Sequence, residues 1–202
     1  MVELIFTGNE LLNGNVLNTN SQWIAQTITS LGVTVKRMEV IEDNVDVIAK
    51  AIHESLDRKP DIIIVSGGLG PTYDDVTLEG IAKAINRPLK TDPHALRMVT
   101  DRYVLAEKAG LLKVKESEKL ILKMATLPTG AQPLVNPVGA APGVMIEQNR
   151  TVLFSVPGVP AEMKAIFNYG IIPWLKNHLG NAYNAQKKML VIGLGESRLG
   201  PV

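Results

Sequence analysis

A three-layer α/β domain, built on a doubly wound and mostly parallel sheet with an inserted helical hairpin, is the fold this sequence predicts. Short apolar runs alternate with longer segments whose apolar residues recur every three or four positions, the pattern of strands joined by crossover helices. The run Asp61–Val65 is almost pure Ile and Val, as suits a central parallel strand covered on both faces. No internal repeat or low-complexity linker divides the chain.

The elements follow in order. Val2–Thr7 reads as the first strand, ending at Gly8. Ser21–Leu31 is helical in period: Thr19 or Asn20 is placed to cap it, Trp23, Ile24, Ile28 and Leu31 form its apolar stripe, and Gly32 stops it. Val33–Ile41 is the second strand. Val45, Ile48, Ile52 and Leu56 make residues 45–57 an amphipathic helix, for which Asp43 is a natural cap. After Pro60 comes the strand at Asp61–Val65, then a helix over Glu79–Ile85. Asp92 caps a helix from Pro93 to Gly110, with Pro93 at the first helical position where its missing N–H costs nothing. A second helix over Glu116–Ala125 follows directly, so residues 92–125 are taken as the insertion. Strands resume at Gly143–Glu147 and Thr151–Val156 around a polar turn at Gln148, Asn149 and Arg150. Pro160–Tyr169 and Ile172–Leu179 are helical, the latter only if Pro173 lies in a first turn. Lys188–Ile192 reads as a last strand. Residues 1–180 are therefore expected to form the ligand-binding domain, and 181–202 the start of a truncated further segment.

Composition narrows the function classes. The 202 residues carry 21 Lys plus Arg against 20 Asp plus Glu, a net charge of +1, which removes the electrostatic case for a nucleic-acid or anionic-membrane binder. With no Cys, there is no disulfide framework, thiolate zinc site or thiol nucleophile. No charged leader precedes the first strand and no apolar stretch approaches a membrane span. A cytoplasmic protein is expected. His53, His94 and His178 are dispersed, without a His-Glu-x-x-His pattern, and Gly193–Ser197 is not a hydrolase nucleophile elbow.

The chemistry concentrates after the Ile/Val strand, where open α/β sheets bind ligands. Ser66, Gly67, Gly68, Leu69 and Gly70 form a loop whose glycines let successive N–H groups converge on an anion. It is neither the dinucleotide fingerprint nor the P-loop, and a Gly-rich loop alone is equally a chain turn. Asp74 and Asp75 lie just beyond. Carboxylates beside an anion cradle would repel phosphate unless a hard cation such as Mg²⁺ sat between them, so Asp75 is assigned a functional role. Thr77 is read as an N-cap, and an Asx-turn is the structural alternative for one of the Asp residues. Two other strand ends bring polar residues to the same rim: Glu10 with Asn18, Thr19 and Asn20, and Glu42 with Asp43 and Asn44. A fourth loop, containing Pro157, Gly158, Pro160 and Glu162, opens a helix whose free N–H groups could receive an anion or a flat polar ring; a rigid connection is the alternative. The loop Asn136–Gly143 is expected to shape the pocket. Arg97, Arg102, Lys108 and Lys113 on the insertion are read as a solvated face or a cover.

Read together, these blocks resemble a known family. Ser66-Gly67-Gly68-Leu69-Gly70-Pro71 through Asp75-Val76-Thr77 resembles the signature of the MoaB/Mog molybdopterin-binding fold. Gly8–Gly14 with Asn18–Asn20, Leu127-Pro128 with Gly130-Ala131, Asn136-Pro137 with Ala141-Pro142-Gly143, and Pro157–Met163 narrow the resemblance to its CinA-like branch. The resemblance implies a pocket at the strand carboxyl ends. It also implies Asp75 and Asp43 as acidic residues tied to metal and ligand, Gly67, Gly68 and Gly70 as the anion loop, Glu10 as a rim carboxylate, and Pro157, Gly158 and Pro160 as a second ligand loop. The implied activity is Mg²⁺-dependent cleavage of ADP-ribose or similar diphosphates. The alternatives are a molybdopterin binder of cofactor assembly and a regulatory protein that retains the pocket without turnover. A homo-oligomer, dimer or trimer, is implied as well. Bacterial CinA proteins continue into a nicotinamide-nucleotide deamidase domain for which this chain has no room, so that activity is not expected.

Overall fold

The computed structural model describes residues 1–111 and 117–179; the expected strand at Lys188–Ile192, the segment 181–202, Lys113 and Glu116 lie outside them. Strands β1 (Val2–Thr7), β2 (Val35–Ile41), β3 (Ile62–Ser66), β6 (Gln132–Leu134), β7 (Gly143–Gln148) and β8 (Thr151–Val156) form one sheet in the order β2-β1-β3-β8-β7-β6. The first four of these positions are parallel, and β7 returns antiparallel to β8. Asn149, with φ of 56°, makes the tight turn between them.

Alternation along the central strands builds two cores. Ile5, Ile63 and Val65 face α3 (Val45–Asp57), α4 (Thr77–Ala84) and α5 (Pro93–Lys108), where Ile48, Ile52, Ile81 and Val99 are fully buried. Leu4, Phe6, Ile62 and Ile64 face α2 (Thr19–Ser30), α7 (Pro160–Ile166) and α8 (Ile172–Leu179). Helices therefore cover both faces, which explains why β3 carries no alternation in polarity. The inserted pair is present as α5 and α6 (Glu118–Met124), and its ends are tied by a two-stranded antiparallel pair, β4 (Leu89–Thr91) with β5 (Thr126–Pro128), that three-residue runs gave no means to anticipate.

Three capping expectations are corrected. Asn18, not Thr19 or Asn20, caps α2 by accepting the Ser21 N–H at 3.0 Å. Asn44, not Asp43, caps α3 by accepting from Asp46 and Val47. Thr77 is the first residue of α4 and makes no cap bond; Val76 precedes it. At α2 and α3 a neighbouring Asn has the required reach, a difference that residue type alone does not encode. The expected helix at 160–169 gives way to a π turn at Phe167–Ile171, where the Ile172 N–H reaches back to Phe167 O. Pro173 has no N–H for the Tyr169 carbonyl and its ring would press on that group, so the widened turn absorbs the conflict and leaves Pro173 in the first turn of α8.

Glu3 is a buried charge in β1, 3% exposed. It accepts from Ser55 Oγ at 2.7 Å and from Arg58 Nε and Nη2 at 2.9 and 2.7 Å. Burial pushes its pKa up, but the Arg58 and Ser55 hydrogen bonds outweigh this and hold it below its ordinary value of 4.5. The linked stability is therefore present above that value and lost as pH falls through the depressed one. Arg58→Ala, which strands the carboxylate, is expected to cost about 3 kcal/mol in urea denaturation at pH 7. The deficit should shrink as pH falls and Glu3 protonates; a deficit independent of pH would assign it to lost packing instead.

Candidate functional site at the sheet's switch point

The chain leaves β1 toward β2 on one side and reaches β3 on the other, so the carboxyl ends of β1 and β3 flank a crevice of the kind in which α/β sheets bind ligands. Thr7 closes β1 and Ser66 closes β3. The loop after β3 is clamped at its start. Gly67 N–H donates to Val156 O at 3.0 Å, and Thr77 N–H donates to Gly68 O at 3.2 Å. Thr7 Oγ1 and Thr77 Oγ1, both buried, share a hydrogen bond of 3.3 Å. Gly67 and Gly68 have φ of 121° and 61°. A Cβ on the first would overlap the Thr7 carbonyl oxygen, and one on the second the Thr77 hydroxyl. Among the described residues the N–H groups of Gly68, Leu69 and Gly70 have no acceptor within the chain. The Gly67 amide is spent on β8, so the free cradle is one residue shorter than the glycine run suggests.

Gly68, Leu69 and Gly70 line a pocket of 130 Å³ together with Asp75, Glu79 and Lys123. Asp75 Oδ2 accepts the Thr72 N–H at 2.9 Å and also the Thr72 hydroxyl, and a Cβ on Gly70 would lie 2.5 Å from that oxygen. The one Thr72 hydroxyl hydrogen is shared between that oxygen and Asp74 Oδ1, 2.6 Å away. Asp74 is exposed; the Thr72 hydroxyl, then its own backbone amide and Lys123, hold its carboxyl below the ordinary range. Lys123 Nζ donates to Thr72 O. The sequence reading missed Lys123 and Thr72. Lys123 arrives from the inserted α6, and no local pattern links it to a loop 51 residues earlier.

A second, narrower pocket of 100 Å³ opens beside the first strand end and is lined by Glu10, Leu17, Asn20, Ser66, Gly158 and Pro160. Asn20 is buried, and its Nδ2 donates to Gly158 O at 2.8 Å and to Ser66 Oγ at 3.2 Å. Ser66 donates in turn to Pro157 O at 3.4 Å. Pro157 is buried behind this contact and lines neither pocket, while Gly158 and Pro160 do face the ligand space. The Asn136–Gly143 loop is held from its own side. Asn136 donates to Ala141 O at 2.8 Å and to Glu162 Oε2 at 2.6 Å, and its Oδ1 accepts from Val138 and Gly139. Glu162 thus braces that loop.

Asp43 borders neither pocket. Its Oδ2 accepts the Asn9 N–H at 3.0 Å. Burial pushes its pKa up, the Asn9 amide and Thr7 hydroxyl pull it down, and the nearby charges of Glu10 and Asp74 push it up again, leaving it raised. A raised carboxylate adds stability only at low pH, and that contribution is lost as pH rises through the folded-state value. Ionised Asp43 therefore subtracts stability at neutral pH. Asp43→Asn is expected to melt about 2 °C higher at pH 7, an advantage that disappears in acid; a lower melting temperature at pH 7 would contradict this electrostatic account.

Among the described residues no group of three or more His, Asp or Glu side chains is gathered to hold a metal. Asp43, Glu10 and Asp74 do repel one another, and Asp75 lies across the loop beside free amides. A hard cation that takes a single carboxylate and draws its other ligands from water and phosphate, as Mg²⁺ does, is compatible with Asp75, which lines the glycine-loop pocket. Asp75 is the residue that would hold it.

A clamped glycine loop with free amides, at the switch point of a doubly wound sheet, places the chain in the class of α/β domains whose candidate site lies at the strand carboxyl ends. The family model described as probable molybdopterin binding domain matches residues 3–177, and the chain belongs to this family, in its CinA-like branch. The protein CinA of unknown function from Thermoplasma acidophilum is 38% identical, with a TM-score of 0.72 over 83% of this chain and 93% of that one. Protein PYRAB15930 of Pyrococcus abyssi is 43% identical over 99% of this chain and 78% of its own length. The molybdopterin biosynthesis enzyme MoaB of Thermus thermophilus, 19% identical with a TM-score of 0.59 over 88% of this chain and 92% of that one, shares the fold. No helix among the described residues is long and apolar enough to cross a membrane.

Proposed function

We propose that the chain binds a phosphorylated nucleotide or pterin across the switch point and, with Mg²⁺ or another divalent cation, hydrolyses ADP-ribose-type diphosphates. One observation supports this reading: Gly68, Leu69 and Gly70, whose amides have no acceptor among the described residues, line the same pocket as Asp75 and Lys123. Fixed donors of this kind are worth most where negative charge grows, as it does on phosphate oxygens during attack. The cation supplies neutralisation of the diphosphate oxygens. Water oxygen forms the new bond to phosphorus, the bridging P–O bond breaks, and AMP and ribose 5-phosphate leave, the water's protons going to solvent. The three amides and Lys123 hold phosphate, Asp75 would hold the cation, and Glu10 stands at the rim of the second pocket.

The family match favours a second reading, molybdopterin binding in cofactor assembly without turnover. Incubating the purified protein with Mg²⁺ and ADP-ribose, ATP or molybdopterin, with mass spectrometry of products and retained ligand, separates the two. AMP formed from ADP-ribose only when the cation is present supports hydrolysis. Tight, cation-independent retention of the pterin without AMP supports the second reading, and neither result would overturn both. A cytoplasmic homo-oligomer without nucleic-acid or membrane partners belongs to the same proposal.

A further inference from the structure

The sheet has two unequal edges. β6 closes one end with three residues that include Pro133, which has no N–H to offer, so this edge is blunted against further pairing. β2 closes the other end with seven residues, Val35–Ile41, free of Pro and Gly, and among the described strands it pairs with β1 alone. From Arg37 to Ile41 it follows β1 residue for residue. Gly8 N–H donates to Ile41 O at 3.1 Å, so Ile41 turns its backbone groups toward β1. Strand geometry repeats every second residue, so Arg37 and Glu39 do the same, while Met38 and Val40 direct their N–H and C=O groups away from the sheet. Lys36, Arg37 and Met38 are exposed, Met38 by 49%. A long edge left open in this way is a template for another strand.

The charges along this edge say which strand fits. Arg37 and Glu39 are placed symmetrically about Met38, and their register with Glu3 and Ile5 of β1 puts both side chains on the α3 face of the sheet. In the single chain they form an exposed ion pair, Arg37 Nη2 to Glu39 Oε2 at 3.4 Å. An antiparallel copy of β2, related by a two-fold axis through Met38 perpendicular to the sheet, brings Met38 opposite the partner's Met38, where the outward backbone groups exchange two hydrogen bonds. Arg37 then stands opposite the partner's Glu39, and Glu39 opposite the partner's Arg37, on the same face. These are non-hydrogen-bonded positions, where opposed side chains come closest, and opposite charges there stabilise a pair while like charges destabilise it. Centring the axis on Arg37 or on Glu39 instead would oppose like charges. The edge is therefore self-complementary in one register, and its charges select that register against its neighbours.

We infer that β2 is an interface for a second copy of this chain, pairing antiparallel about Met38 so that the two sheets run on as one. The inference rests on the proposed homo-oligomer and names its surface; it is independent of the ligand. Sedimentation equilibrium of the full chain over a range of concentrations is the test, with circular dichroism to check folding. The wild type is expected to be a dimer. Arg37→Glu and Glu39→Arg each oppose like charges twice across the axis, and each should raise the dimer dissociation constant by at least about 100-fold. Mixing the two variants opposes Glu to Arg at both contacts, so an equimolar mixture should dimerise again, and so should the doubly reversed chain R37E/E39R. Recovery in the mixture is a result that a merely structural role for either residue would not give. If Arg37→Glu fails to fold, because it sets a negative charge beside Glu3, then Glu39→Arg and the doubly reversed chain decide the matter. A monomeric wild type overturns this inference and the homo-oligomer together. A trimer, a dimer indifferent to the single reversals, or single variants that dissociate without recovery in the mixture or the double reversal, overturns the β2 pairing and leaves the homo-oligomer standing.

Discussion

Asp75→Asn is expected to lower cation-dependent cleavage of ADP-ribose by at least about 100-fold while leaving the fold in place. The asymmetry follows from what the carboxylate does in the chain. Its Oδ2 accepts from the Thr72 N–H and hydroxyl, and an Asn carbonyl in the same position accepts both. The local turn is therefore retained, and stability in urea should change by less than about 1 kcal/mol. What disappears is the negative charge beside the free amides of the glycine loop, and with it the ability to hold a cation against phosphate. Activity measured against Mg²⁺ concentration gives the decisive view, because loss of a cation-holding group shifts the metal dependence as well as the maximum. Turnover near the parental rate in Asp75→Asn would remove Asp75 from the machinery, and a collapse in stability would show that its role is to brace the turn.

Gly67→Ala is expected to have the largest structural effect of any single methyl added at the site. Its φ of 121° lies where side chains are strained, and the new Cβ would run into the Thr7 carbonyl oxygen. That atom is backbone within the central strand pair and cannot swing aside. The loss should be about 2–4 kcal/mol in urea denaturation, combining backbone strain with overpacking, and diphosphate binding should be lost because the amides of the next three residues are displaced. Gly158→Ala is the informative comparison: its Cβ would meet only Gly67 Cα at 3.5 Å, an ordinary contact, and stability should move by about 0.5 kcal/mol or less. Equal costs for the two substitutions would mean that crowding against Thr7 is not what fixes the loop.

Most of the architecture was legible because it depends on periodicity. The Ile/Val run of β3, the apolar run of β1, and the three-and-four spacing of Val45, Ile48, Ile52 and Leu56 each report burial. The Gly-rich turn and the insertion were legible for related reasons, the first from residues that adopt positive φ without steric cost, the second from a break in strand and helix alternation. Caps were read one position out at Asn18 and Asn44, since Asn, Asp and Thr are chemically close and side-chain reach chooses among them. The β4–β5 pair escaped notice because three residues are too few to show a period.

The sequence by itself determined that this chain is a doubly wound α/β domain of the molybdopterin-binding family and that its polar chemistry clusters at the strand ends, since pattern and composition are properties of a linear chain. Only the tertiary structure decided how those residues are divided. It spent the Gly67 amide on β8, and it buried Thr77 against Thr7. It brought Lys123 from the insertion to Asp75, grouped Asp43 with Glu10 and Asp74, and left Asn20 with an unanswered acceptor. Each of these is a contact between residues distant in the chain, fixed by the sheet order and by which hydrogen-bond partner is nearest, and neither quantity has a local trace.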